Sequence, residues 1–328
     1  MTGRHAHDHS HDGHGHTHGG IDPSLAGSER GLWALKWSLV GLGATALFQL
    51  VIVVISGSVA LLADTIHNLG DALTAVPLGA AFLLSRRPPT RRFPYGLQRS
   101  EDLAGLAIVA LILVSGIVAG YASVRRLIDP AEPSALLAVA IAGAVGFVGN
   151  EAVAQFRISV GRKIGSAALI ADGRHARVDG FTSLAVVAGA IGVALGAPIA
   201  DPIVGLGITL VILRITWTSA REIGERILDG IDPDTLEQIE TVAAGTPGVC
   251  EISEVRARWL GHTIRMEVNV AVADRASITE AHDVATRVRN NLQHEIPFFG
   301  EAVVHVDPES QSGEAAHQLA AVSATANG

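Results

Sequence analysis

The sequence predicts an α-helical membrane protein of six transmembrane helices followed by a small α+β domain, on three observations. Long stretches carry no charge, the apolar residues within them are small and aliphatic, and beyond about residue 221 charge and a two-residue alternation return. Of 328 residues 48% are hydrophobic and 17% charged, too little charge for the surface of an ordinary water-soluble enzyme, and the mean hydropathy is +0.37. Aromatic residues make up only 4% against 36 glycines, a composition that lets membrane helices approach closely. The formal charge of −8 argues against a phosphate-tracking nucleic-acid surface. A single cysteine, Cys250, excludes an internal disulfide.

Residues 1–30 hold seven of the fourteen histidines, His5, His7, His9, His11, His14, His16 and His18, interleaved with Asp, Gly and Ser. Lacking an apolar stretch, this segment is neither a signal peptide nor foldable, and it is expected to be disordered. Its alternating spacing suits a low-affinity metal collector near the cytoplasmic entrance, with an added purification tag as the alternative. Uncharged runs then cover residues 37–63, 73–84, 103–124, 134–150, 181–200 and 202–213. With their flanks these give about six spans near the ~20 residues a bilayer requires. Arg214 interrupts the last, but an arginine near a helix end can snorkel to the headgroups. The expected six-helix domain covers residues 31–220.

Orientation follows from basic residues in short loops. Arg86, Arg87, Arg91, Arg92 and Arg99 lie between spans two and three, and Arg157, Arg162 and Lys163 between four and five. These loops are expected to be cytoplasmic and both termini inside, with Arg125 and Arg126 running against the rule. In the soluble domain, residues 221–309, helix is expected at 233–244 and 277–295 and strand at 249–260, 263–273 and 302–306. This α-β-β-α-β order suits an open-faced sandwich. Residues 310–328, rich in Ala, Ser and Gln, read as a loose tail.

One pattern occurs twice. Span two contains Asp64, His67 and Asp71 and span five contains Asp172, His175 and Asp179, both within A-D-x-x-H-x-x-x-D. Steps of three and four put each set on one helical face. A carboxylate within a membrane helix costs roughly 2.5–3.5 kcal/mol by insertion scales, so two such faces call for a shared purpose. If the spans are adjacent, His67, Asp71, His175 and Asp179 form a four-ligand set of two nitrogens and two oxygens, which suits tetrahedral Zn²⁺. Two carboxylates balance a dication, and protons compete for the same lone pairs. Polar bonding between helices is the alternative. Asp64 and Asp172 are candidates for an outer shell that orients the histidines, or for the ion's path.

On these residues the chain resembles the cation diffusion facilitator family over roughly residues 30–308. The likeness rests on His67-x-x-x-Asp71 and His175-x-x-x-Asp179, on the run Tyr95, Gly96, Leu97, Gln98, Arg99, Ser100, Glu101, and on Ala281-His282 with Val304 through Pro308. It implies a homodimeric exporter of divalent metals with six spans and a metallochaperone-like (ferredoxin-like) C-terminal cytoplasmic domain. It also implies alternating-access exchange of metal for protons, and zinc for a site of two His and two Asp. Phe93 and Leu97 stand where some bacterial zinc exporters carry histidines, so that loop site is expected to be absent. Arg99 and Asp229 match the family's charge interlock, implying a pair that stabilises the dimer. His282, His305 and Asp307, with His262, stand where regulatory zinc would bind between cytoplasmic domains, unless they are simply surface residues.

The expected function is therefore a Zn²⁺/H⁺ antiporter of the cell membrane, not an enzyme, with zinc as substrate and regulatory ligand. Two alternatives stay open. The same fold can carry Fe²⁺, Mn²⁺, Co²⁺ or Cd²⁺, since imidazole accepts several of these ions. A non-transporting metal-responsive membrane sensor is the other.

Overall fold

The computed structural model describes residues 23–56, 75–128, 136–197 and 199–312. Helices come first: α1 (Pro23–Ser56), α2 (Ala75–Ser85), α3 (Ser100–Ile128), α4 (Leu136–Ile164), α5 (Ala167–Ala194) and α6 (Ala200–Ile227). Among the described residues, Leu25–Val51, Ser100–Ile128 and Pro202–Ile227 are long and apolar enough to cross a membrane, and Ala75–Ser85 is a shorter apolar helix. α4 and α5 are comparably long, 29 and 28 residues, but carry charge along the halves that meet at Gly165 and Ser166. Their uncharged runs thus understate them.

Here the structure corrects an expectation. Arg157, Arg162 and Lys163 do not lie in a loop, because α4 runs unbroken through them to Ile164 and the chain reverses over Gly165 and Ser166. Arg and Lys are good helix formers, so the loss of apolar character marks a change of surroundings and not a helix end.

The helices turn Leu78, Phe82, Ile108, Ile112, Leu169 and Ile212 inward. Outward they present Leu103, Val114, Ile117, Leu210 and Trp217, the last 73% exposed, as hydrocarbon-facing helices do. Lipid supplies no hydrophobic drive between helices, so close backbone approach matters more. α4 and α5 make it at two glycines. A Cβ on Gly173 would lie 3.0 Å from the Ile158 nitrogen and 3.1 Å from the Ala154 oxygen, and one on Gly161 would lie 3.0 Å from the Ile170 nitrogen.

The soluble domain follows as α7 (Pro233–Ala244), β1 (Glu251–Leu260), β2 (Thr263–Val272), α8 (Ile278–Glu295) and β3 (Phe299–Pro308). The sheet order is β1-β2-β3, with β1 and β2 antiparallel and β2 and β3 parallel, so α8 is the crossover that parallel pairing demands. Ile239, Met266, Val268, Val270, Val288 and Leu292 form its core. Asp232 caps α7 by accepting from the Asp234 N–H, with Pro233 in the first turn. Ser277 and Glu280 cap α8 reciprocally. β3 is longer than the expected 302–306, because pairing with β2 extends it to Phe299 and draws in Glu301, Asp307 and Pro308, which lack strand character of their own.

Candidate metal centre

Within α5 the spacing works as helical geometry requires. Asp172, His175 and Asp179 are 0%, 3% and 3% exposed, and His175 Nε2 is 3.9 Å from Asp179 Oδ2. The Asp179 carbonyl accepts from the hydroxyls of Thr182 at 2.8 Å and Ser183 at 3.1 Å, bonds that hold the helix polar beyond the carboxylate. The matching motif, His67 and Asp71 with Asp64, lies outside the described residues, as do the seven N-terminal histidines. Among the described residues no three His, Cys, Asp or Glu side chains converge as a metal-binding group, so His175 and Asp179 are two donors that need others to complete a coordination sphere.

Polar residues that the sequence patterns did not single out accompany this pair. Gln49 on α1 and Asn150 on α4 are buried, and Gln49 Nε2 donates to the Ala142 carbonyl at 3.4 Å. A Cβ on Gly146 would meet Ser183 Oγ at 2.9 Å and Gln49 Nε2 at 3.3 Å, so α1, α4 and α5 gather polar groups at one level. The arginines of the motif are paired elsewhere. Arg177 holds Glu151 through two bonds of 3.0 and 2.8 Å, and Arg174 reaches Glu222 at 2.8 Å and Ser219 at 3.1 Å on α6.

Asp172 faces α4. Its Oδ2 lies 2.9 Å from Nη1 of Arg157, and both side chains are shut off from solvent. Sequence reasoning counted Arg157 as a loop charge, and only the length of α4 reveals it as an interior residue.

Asp229 accepts from Arg99 Nη2 and, at 3.1 Å, from Arg258 Nη1 on β1, while Arg99 Nη1 donates to the Ile227 carbonyl at 3.3 Å. Within one chain this ties the loop before α3, the end of α6 and the sheet together. Partial burial works to raise the Asp229 carboxyl, but the hydrogen bonds and charges of the two arginines outweigh it and hold the group below its ordinary value.

The expected cytoplasmic ligands do not gather within one chain. His305 Nε2 is 2.9 Å from Asp307 Oδ1 on one face of β3, and His282 is exposed on α8. His262 is elsewhere. β3 pairs His305 with Asn269, seven positions along β2 from His262, roughly 23 Å at ~3.3 Å per residue. There His262 is 3% exposed, and its Nδ1 lies 2.7 Å from Glu101 Oε1 on α3. Ser166, which caps α5 through the Leu169 N–H at 3.3 Å, also donates to Glu101 Oε2 at 3.3 Å. Arg226 completes the junction. It donates to the carbonyls of Gly165 at 2.8 Å and Gly261 at 3.1 Å, with its guanidinium 4.0 Å from the Trp259 ring centre. His262 is therefore a domain-docking residue, since burial against a carboxylate of the helical region removes it from the other histidines.

Known proteins carry the same two parts. Residues 35–228 match the family model described as the cation efflux transmembrane domain, and residues 231–309 match the one described as the cytoplasmic domain of cation efflux proteins. A probable cation efflux system protein of Mycobacterium tuberculosis is 51% identical over 288 residues, covering 88% of this chain and 87% of its own. Magnetosome protein MamB of Paramagnetospirillum magneticum is 28% identical over 273 residues, 83% of this chain and 92% of its own. The manganese efflux system protein MneS of Bacillus subtilis is 25% identical over 265 residues, 80% of this chain and 90% of its own.

Proposed function

This chain belongs to the cation efflux family, the cation diffusion facilitators, and from that premise we propose that it is a homodimeric Zn²⁺/H⁺ antiporter of the cell membrane. The family consists of divalent-metal transporters and not enzymes, so no covalent step is required. In this reading the chain crosses the membrane six times with both termini in the cytoplasm. His67, Asp71, His175 and Asp179 hold the ion, and rocking of the helices presents it to each side in turn. The observation that carries the reading is the placement of His175 and Asp179, buried together on one face of α5. An imidazole and a carboxylate inside a membrane helix bind either a dication or protons, and an exchanger needs this competition.

Sealed vesicles with an imposed pH gradient test it. His175→Ala and Asp179→Ala are expected to abolish zinc uptake while the protein still purifies as a folded dimer, and uptake at the wild-type rate in either would refute the site. Mn²⁺ is the second reading, favoured by the manganese efflux relative. Imidazole donors weigh toward zinc, because affinity rises from Mn²⁺ toward the end of the first row. Competition of Mn²⁺ against Zn²⁺ in the same vesicles separates the two. His282, His305 and Asp307, at an interface between two cytoplasmic domains, are the proposed regulatory site, and the N-terminal histidines the proposed collector.

A further inference from the structure

Among the largest fully buried side chains of the molecule is one with a permanent charge. Arg157 is 1% exposed within α4, and its partner is Asp172 at 2.9 Å. Among the described residues its Nε and Nη2 have no hydrogen-bond acceptor, so Asp172 is the counter-charge that keeps a guanidinium at this depth. Breaking such a pair from one side leaves an uncompensated buried charge. The pairing is also held by the backbone. Gly161 and Gly173 bring α4 and α5 together on either side of it, too close for a Cβ at either position without displacement. The other arginines of this stretch, Arg174 and Arg177, are engaged with Glu222 and Glu151.

Asp172 precedes His175 by three residues, about 4.5 Å along the helix axis. A full charge so near a cation site changes its affinity even without touching the ion, because charges in a poorly screened interior act on one another across a helical turn. With Arg157 in place the Asp172 charge is cancelled, and on this face of α5 the cation meets the charge of Asp179 alone.

We propose that Arg157 sets the cation affinity of the transport site by cancelling the charge of Asp172 one helical turn from His175. Arg157 is a positioning residue in this role. It acts through Asp172 without contacting the metal. The inference rests on the reading of His175 and Asp179 as ligands.

The experiment measures KM and maximal rate for Zn²⁺ in sealed vesicles, per folded dimer, for Asp172→Asn, for Arg157→Gln combined with Asp172→Asn, and for Asp179→Ala. Asp172→Asn leaves a lone buried cation beside the site and is expected to raise KM tenfold or more. Adding Arg157→Gln removes that cation and is expected to lower KM again at least five-fold relative to the single variant. A purely structural role predicts the opposite order, since the double variant has lost more of the packing. A wild-type KM in Asp172→Asn, or a double variant no better than the single, overturns the proposal. If the single variant does not fold, the double variant still decides. A KM within tenfold of wild type supports charge cancellation, and a larger increase shows that Asp172 itself holds the cation and overturns it. Asp179→Ala separates the two levels of inference. Transport at the wild-type rate there defeats the site reading, whereas a dead Asp179→Ala beside an unshifted Asp172→Asn defeats only the role of Arg157.

Discussion

Asp229 is the residue on which the helical region, its preceding loop and the sheet converge, through Arg99 and Arg258. Its side chain is 44% exposed, so solvent screens the pairs and their combined contribution is roughly 1 kcal/mol or less. The sign of its pH dependence follows from the lowered carboxyl. A group whose folded value lies below its unfolded one contributes stability that is present above the unfolded value and lost as pH falls through the folded one. Asp229→Asn is thus expected to melt below wild type at pH 7, with the gap constant down to about pH 4 and closing in stronger acid. A thermal melt of both proteins across that range checks it. A gap that changes between pH 6 and 8 would point to a different group. The pairing of Arg99 with Asp229 was legible from the family resemblance, but Arg258 was not, because nothing in a strand's alternation says which loop its charges meet.

At the scale of elements, α5 depends on its fit to α4. Gly173→Ala would drive a methyl against the Ile158 nitrogen and the Ala154 oxygen, backbone atoms that cannot rotate away, and is expected to cost about 1–3 kcal/mol. Gly43→Ala on α1 meets nothing within 4 Å and is expected to be neutral or to stabilise by about 0.4–1 kcal/mol through the unfolded chain. Melting temperatures of the two detergent-solubilised variants test the contrast, and equal shifts would deny the tight α4–α5 seam. In the soluble domain Ser277→Ala removes one half of the α8 cap and is expected to cost about 1 kcal/mol. Most of these elements were readable from apolar runs, alternation and caps. The end of α4 was not, because charge inside a helix is invisible to a rule that equates charge with water. The full length of β3 was not either, because it is set by the register of β2.

Over the whole molecule, the soluble domain is docked through a buried acid and base. His262 against Glu101, with Arg226 bonded to Gly165 and Gly261, joins the β1–β2 turn to α3, to α6 and to the turn that opens α5. His262→Ala leaves the Glu101 carboxylate 1% exposed and short of a partner, and is expected to cost roughly 3 kcal/mol, read as a lower melting temperature of the full chain. A shift of less than a few tenths would show the junction to be incidental. Deleting residues 1–20 is expected to raise the zinc concentration for half-maximal transport and leave the maximal rate nearly unchanged, and a lost maximal rate would contradict the collector role. The paired A-D-x-x-H-x-x-x-D motifs, the membrane composition and the α-β-β-α-β order were determined by the sequence alone, because helical and strand periods put polar and apolar residues on faces that can be counted along the chain. Tertiary structure decided what those faces meet. It gave Asp172 to Arg157, moved His262 from a metal set to a domain junction, and brought Gln49 to the level of Ser183. These pairings join residues on different elements, and the low-dielectric interior makes the choice of partner decisive where periodicity is silent.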